Sequence, residues 1–354
     1  MAMRSRSIRL VRCTSSPLLP TLAADFPVAR AHRPTLERAV SGLLTTDEIL
    51  ATRAVIDPTF LDSPVVRHPA LDDALGCEVT LKVETLNPIR SFKGRGTEAV
   101  VDGLVPRPPG VVAASTGNFG QGVAWSARRR GMAATVFVPA AANPAKVEAM
   151  RRFGADVKFV DGMDESDAAR EAAEASPDLF FIEDGAHRGI AAGAGTIAQE
   201  LTSAGIEVDA MLVQVGDGAL VTGVGSWLKE NAPMTRVIGV TAGRAPAMAE
   251  SVAAGRSIER PADTIADGMA ISRPIPAALE GVMAAVDEIV AVSEDAMLAA
   301  MRLLLARAGL LTEPSGAAGV AALLDHGDRF RGAAVAAVVT GSNIDPRLVP
   351  RLAA

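Results

Sequence analysis

Ser91-Phe92-Lys93-Gly94-Arg95-Gly96 is the stretch on which the reading turns, because it sets a lysine where a strand-like segment gives way to a helix. Lysine is scarce in this chain. Of 35 basic residues only Lys82, Lys93, Lys146, Lys158 and Lys229 are lysines, so arginine carries nearly all the positive charge. Lys93 alone has small or hydroxylated neighbours on both sides, which lets a bulky planar group approach its amine. Lysine, unlike arginine, can lose its proton and form an imine. An ordinary lysine at a helix start explains six residues equally well, so the decision rests on the other segments.

Ala114-Ser115-Thr116-Gly117-Asn118-Phe119-Gly120-Gln121-Gly122 follows the apolar run Val111-Val112-Ala113 and reads as a strand-loop-helix turn. Its hydroxyls and backbone N–H groups would face an anion at a helix N-terminus. Gly216-Asp217-Gly218-Ala219-Leu220 follows a second apolar run, 210–215, and precedes a second helix, which makes a phosphate cradle by the same physics. Val338-Val339-Thr340-Gly341-Ser342-Asn343 ends the last apolar strand on a hydroxyl.

Taken in this order, the four segments resemble the fold-type II pyridoxal-phosphate enzymes, the group of serine and threonine dehydratases, serine racemase, threonine synthase and the β-replacing synthases. The resemblance spans residues 60–345, and Ala266-Asp267-Gly268-Met269-Ala270 and Glu313-Pro314-Ser315-Gly316-Ala317 point to its dehydratase branch. It implies an α/β, two-lobed, tryptophan synthase β-like fold of parallel sheets covered by helices. An N-terminal extension over 1–40, a large cofactor-binding domain over 41–108 and 188–354, and a small domain over 109–187 are the expected divisions.

The resemblance also assigns roles. Lys93 would hold pyridoxal 5'-phosphate as an imine and, once displaced by substrate, take the α-proton. Phe92 would pack beside the ring, and Asn118 would hydrogen-bond its phenolic oxygen. Gly216, Asp217, Gly218, Ala219 and Leu220 would surround the phosphate, and Thr340 would face the pyridine nitrogen. A hydroxyl there need not keep that nitrogen protonated, so the ring is a weaker electron sink and prompt elimination suits the site. Ser115, Thr116, Gly117, Asn118, Phe119 and Gly268 would hold the substrate.

Two departures bear on specificity. Asp217 puts a carboxylate inside a loop meant for a phosphate, and is expected to point away or to pair with a base. Arg90 stands where the family tends to use a small residue. It is open to four readings: a partner for Asp217, a contact to the cofactor phosphate, a reader of a distal substrate anion, or a surface arginine. Thr241 replaces the acid of the cation-binding members, so no metal is expected.

Composition narrows the alternatives. A net charge of −6 argues against nucleic acid, no apolar run is long enough to span a bilayer, and two cysteines, Cys13 and Cys77, suit a reducing cytoplasm. His32, His68, His187 and His326 are dispersed without metal-ligand spacing. The Arg-rich first 33 residues lack the apolar core of a signal peptide and read as an arm, in keeping with a homodimer. Gly193-x-Gly195-x-x-Ala198 meets a loose dinucleotide fingerprint, but no strand leads into it. The expected activity is removal of water from a small amino acid such as L-threonine or L-serine, giving a 2-oxo acid and ammonia. Threonine synthase-like, β-replacing or racemising chemistry, and a non-catalytic pyridoxal-phosphate binding protein, are the alternatives.

Overall fold

The strands begin where β-branched runs allow both faces to be buried. In this computed structural model, which describes residues 42–161 and 163–353, they are β1 (Val65–Arg67), β2 (Glu78–Val83), β3 (Gly110–Ala114), β4 (Ala133–Pro139), β5 (Asp156–Val160), β6 (Leu179–Phe181), β7 (Ala210–Gln214), β8 (Arg236–Ala242), β9 (Glu288–Val292) and β10 (Ala334–Val339). They form a six-stranded sheet in the order β1-β2-β10-β7-β8-β9 and a four-stranded sheet in the order β5-β4-β3-β6. The extension assigned to 1–40 lies outside the described residues.

Every pairing is parallel except β1 with β2, where Val66 lies opposite Leu81 in antiparallel register. The parallel sheets covered by helices are as expected, and β1 adds one antiparallel edge strand. It and β6 are three residues long, too short to show a period of their own. Central strands are sealed on both faces: β7 is buried throughout and β2 and β10 after their first residue, as helix-covered parallel sheets require. Crossover helices supply that cover. The helix Glu294–Ala308 begins at Ser293, whose hydroxyl accepts the Ala296 N–H, and stops at Gly309. Spaced three and four apart, Met297, Leu298, Met301 and Leu304 form its buried stripe, whereas Leu305 at the edge of that stripe is exposed.

Three small-residue helices, Lys93–Gly103, Arg188–Ser203 and Ala219–Asn231, meet at backbone distance. A Cβ on Gly193 would lie 2.5 Å from the carbonyl oxygen of Arg95. Gly193 and Gly195 therefore serve helix packing in mid-helix, which removes the dinucleotide reading. Beneath Lys93 the wholly buried Arg95 forks onto two carboxylates, Nε and Nη2 to Glu84 at 2.8 and 2.9 Å, Nη1 and Nη2 to Glu200 at 2.6 and 2.9 Å. Lys82 adds a bond of 2.6 Å to Glu200. Burial opposes ionisation of Glu200, but Arg95 and then Lys82 outweigh it and bring its carboxyl down to about 2.

Candidate active site

Loops leaving the carboxyl ends of β3, β7 and β10 converge on one cleft, as open parallel sheets favour. The cleft holds about 910 Å³, and Phe92, Lys93, the loop 114–119, Gly216, Asp217, Gly218, Leu220, Gly268 and Thr340 line it. The bridge between Ser91 and Gly341 fixes the Lys93 segment to the end of β10, and the Phe92 N–H bonds the carbonyl of Thr340 at 3.1 Å. Lys93 is thus carried into the cleft on the first turn of its helix, with its amine 5.1 Å from the centre of the Phe92 ring and 5.7 Å from that of Phe119.

Two carboxylates flank that amine. Lys93 Nζ lies 2.6 Å from Asp184 Oδ2 and 2.8 Å from Asp217 Oδ2. Burial alone would discharge the lysine, but Asp184 and then Asp217 hold its pKa above the usual lysine range. Asp217 answers one question left by the sequence: it faces the cleft, its base is Lys93, and its Oδ1 accepts the Ala219 N–H at 2.9 Å. Burial raises Asp217 and Lys93 lowers it, with a net depression. Burial and the neighbouring Asp217 push Asp184 up to about 7, despite Lys93.

Arg90 answers another. It is exposed at φ 52° and borders a separate depression with Leu86, Pro88 and Leu311, so it is brought neither to the cleft nor to Asp217.

Ser115 lies in the cleft wall, with its hydroxyl oxygen accepting the N–H groups of Gly117 and Gly120 at 3.0 and 2.9 Å; it builds the loop it was assigned to. Asn118 donates to Glu313 Oε1 at 2.5 Å and accepts from Asn343 Nδ2 at 2.8 Å. Below Gly117, where a Cβ would run into its side chain, Lys146 reaches Asp267 at 2.6 Å and Glu313 at 3.2 Å. Burial raises Glu313 against the pull of Lys146, and burial lowers Lys146 less than Glu313 and Asp267 raise it. Thr241 is buried and donates to the Val290 carbonyl at 3.4 Å. Among the histidines His68 caps a helix start, His187 precedes another beside Phe180, and His326 bonds the Ala291 carbonyl.

Sequence reasoning passed over Asp184, Lys146, Gln214 and Asn343. Lys146 and Asp267 are 121 positions apart and Asn118 and Glu313 are 195 apart, so only the fold unites them. The sole local sign was that Lys146 is one of five lysines.

These residues suit an anionic aromatic aldehyde. The amine of Lys93 opens on the cleft, and the turn Gly216–Leu220 enters its helix through Gly218 at φ 101°, where no side chain stands between the backbone and the cleft. Buried polar atoms without a partner, Gln214 Oε1, Ser315 Oγ and Asp184 Oδ1, belong to residues of the same wall. A fold of this kind with a lysine so placed defines a class, and residues 56–341 match the pyridoxal-phosphate dependent enzyme family, to which the chain belongs. It is therefore dependent on pyridoxal phosphate.

Among its relatives, the L-threonine ammonia-lyase of Thermotoga maritima is 34% identical over 316 residues, covering 88% of this chain and 78% of that one. The crystal structure of a T.th. threonine deaminase superposes with a TM-score of 0.80 at 33% identity, over 85% of this chain and 99% of the other. Maize serine racemase gives a TM-score of 0.81 at 27% identity, over 87% and 96%.

Proposed function

We propose that this chain is an ammonia-lyase that eliminates the β-hydroxyl of a small amino acid such as L-threonine or L-serine, yielding a 2-oxo acid and ammonia. The observation that carries the reading is the placing of one lysine amine, Lys93, in a cleft shared by the loop 114–119 and the turn Gly216–Leu220. Bound pyridoxal phosphate supplies the electron sink that makes the substrate's α-proton acidic. Phe92, Asn118, Gly216, the backbone of Asp217, Gly218, Ala219, Leu220 and Thr340 are assigned to hold it.

Lys93 acts as the base at the α-carbon, within the carboxylates of Asp184 and Asp217. Thr116, Gly117 and the N–H groups heading the helix Asn118–Arg129 take the substrate carboxylate, donors fixed in place before the reaction. A neutral side chain fits the rest of the wall. Lys146 is held by Asp267 and Glu313 and Arg170 by Glu183 at 3.0 Å, while the exposed Arg273 at the rim has Glu259 at 3.9 Å, so the buried base beside the loop 114–119 already has its partners. The match to threonine ammonia-lyases supports the same choice. Serine turnover, a cytoplasmic location and a homodimer complete the reading, on the low cysteine content and the exposed Leu86 and Leu311.

A panel of L-threonine, L-serine, D-serine and L-homoserine phosphate, followed for 2-oxo acid, ammonia and inverted amino acid, tests it. Release of 2-oxo acid from the first two is expected. Inversion without release would move the protein to the racemases, and phosphate release to threonine synthase-like chemistry.

A further inference from the structure

The amide of Asn118 is held from both ends, and the bonds that hold it start at the main chain. The Ile89 carbonyl, which can only accept, takes Asn343 Nδ2 at 2.8 Å. The other Nδ2 hydrogen of Asn343 goes to Asn118 Oδ1 at 2.8 Å, so that oxygen accepts and the amide nitrogen of Asn118 faces the other way. There it donates to Glu313 Oε1 at 2.5 Å. An amide nitrogen carries two hydrogens. The second finds no acceptor among the described residues, on a side chain that lines the cleft.

The charged groups that face Glu313 are Lys146, at the start of the helix Pro144–Arg152, and Asp267, in the turn Asp267–Met269. Burial raises Glu313, the Lys146 ammonium 3.2 Å from its Oε2 pulls it down, and Asp267 adds to the rise. Lys146 is itself gripped by Asp267 at 2.6 Å. Without that ammonium the buried acid would take up a proton, and its O–H would compete for Asn118 Oδ1. Two glycines make room for the set. A Cβ on Gly341, next to Thr340, would lie 3.1 Å from Asn118 Nδ2 and collide with Glu313, and one on Gly117 would run into Lys146.

We propose that Glu313 and Asn343 are positioning residues, which together aim the free N–H of Asn118 at the phenolic oxygen of the cofactor, while Lys146 keeps Glu313 in its accepting form. The proposal rests on the role given to Asn118 above, and no bond is made or broken in it. A donor at that oxygen draws off negative charge that otherwise holds the proton on the Lys93 imine, so it lowers the pKa of that imine. Letting Asn118 swing raises it.

The test titrates the visible band of the holoenzyme without substrate. Asn118→Ala sets the scale and should raise the pH midpoint of that band by about one unit. Asn343→Ala, Glu313→Met and Lys146→Met should each raise it by about half a unit or more. None should add a further rise in an Asn118→Ala background, because all three act through one amide. If Glu313→Met fails to fold or to bind cofactor, Asn343→Ala, which buries and strands no charge, carries the test.

Charges acting at a distance predict a different pattern. Loss of the Glu313 carboxylate would then lower the midpoint, loss of Lys146 would raise it with or without Asn118, and Asn343→Ala would leave it in place. Any of these results would overturn the proposal while sparing the assignment of Asn118. A midpoint unmoved by Asn118→Ala would instead remove Asn118 from the phenolic oxygen, and this proposal with it.

Discussion

Asp217 engages Lys93 Nζ at 2.8 Å with one carboxylate oxygen and the Ala219 N–H at 2.9 Å with the other. One side chain therefore occupies both the amine and the turn assigned to the cofactor phosphate. A phosphate dianion arriving there meets a fixed negative charge, and even at an effective dielectric of about 20 such proximity costs a few kcal/mol. Asp217→Asn should tighten pyridoxal-phosphate binding by about tenfold or more, read by absorbance titration without substrate. Weaker or unchanged binding would place the phosphate elsewhere.

Lys93→Ala should abolish the visible absorbance that wild-type protein shows with pyridoxal phosphate. Borohydride trapping and peptide mapping should label Lys93. Lys82 is held by Glu200 and Lys229 by Asp287, away from the cleft, so a label on either would contradict the assignment.

Acid should weaken the fold through the buried cluster under Lys93. Glu200 is depressed from 4.5 to about 2, so its contribution is full above the unfolded value near 4.5 and is lost as pH falls from there toward 2. That depression corresponds to roughly 3 kcal/mol. Urea midpoints for wild type should drop over that window, and Glu200→Gln should flatten the drop. Arg95→Met, which strands Glu84 and leaves Glu200 with Lys82 and Arg53, should cost about 3–5 kcal/mol at neutral pH. A loss under about 1 kcal/mol would mean the carboxylates find other partners.

Arg90 stands at φ 52° on the surface, a conformation that favours glycine. Arg90→Gly should stabilise the protein by up to about 1 kcal/mol in thermal unfolding, the side-chain strain relieved less the added freedom of the unfolded chain. Arg90→Ala should leave kcat/KM on L-threonine and on 3-hydroxyaspartate within about twofold. A selective loss on the acidic substrate would return Arg90 to the cleft.

What could be read in the sequence was local. Strands β2, β3, β4, β5, β7, β8, β9 and β10 announced themselves by short runs rich in β-branched residues, and the glycine turn at Gly216–Leu220 by its scarcity of side chains. The pairing of Asp217 with Lys93 was not legible, because no pattern along the chain says which way a loop carboxylate turns. Asp184 had no periodic setting, and Lys146 meets Glu313 only because β3 and β10 end on the same cleft. Arg90 misled for a related reason: three residues from Lys93 in sequence, it is turned outward by its positive φ.

The close seating of the Lys93 helix has a consequence for anyone who would redesign this enzyme. Gly96 lies against Ile190 and Gly193 against Arg95, so that an added methyl at either would fall within 2.8 Å of a neighbour's backbone oxygen. Variation directed there would mostly yield unfolded clones, whatever its promise on paper. The opposite wall, 114–119 and 266–275, is carried largely on loops and a single short turn of helix. A library for altered substrate choice belongs on those two segments, with the floor beneath Lys93 left as it is.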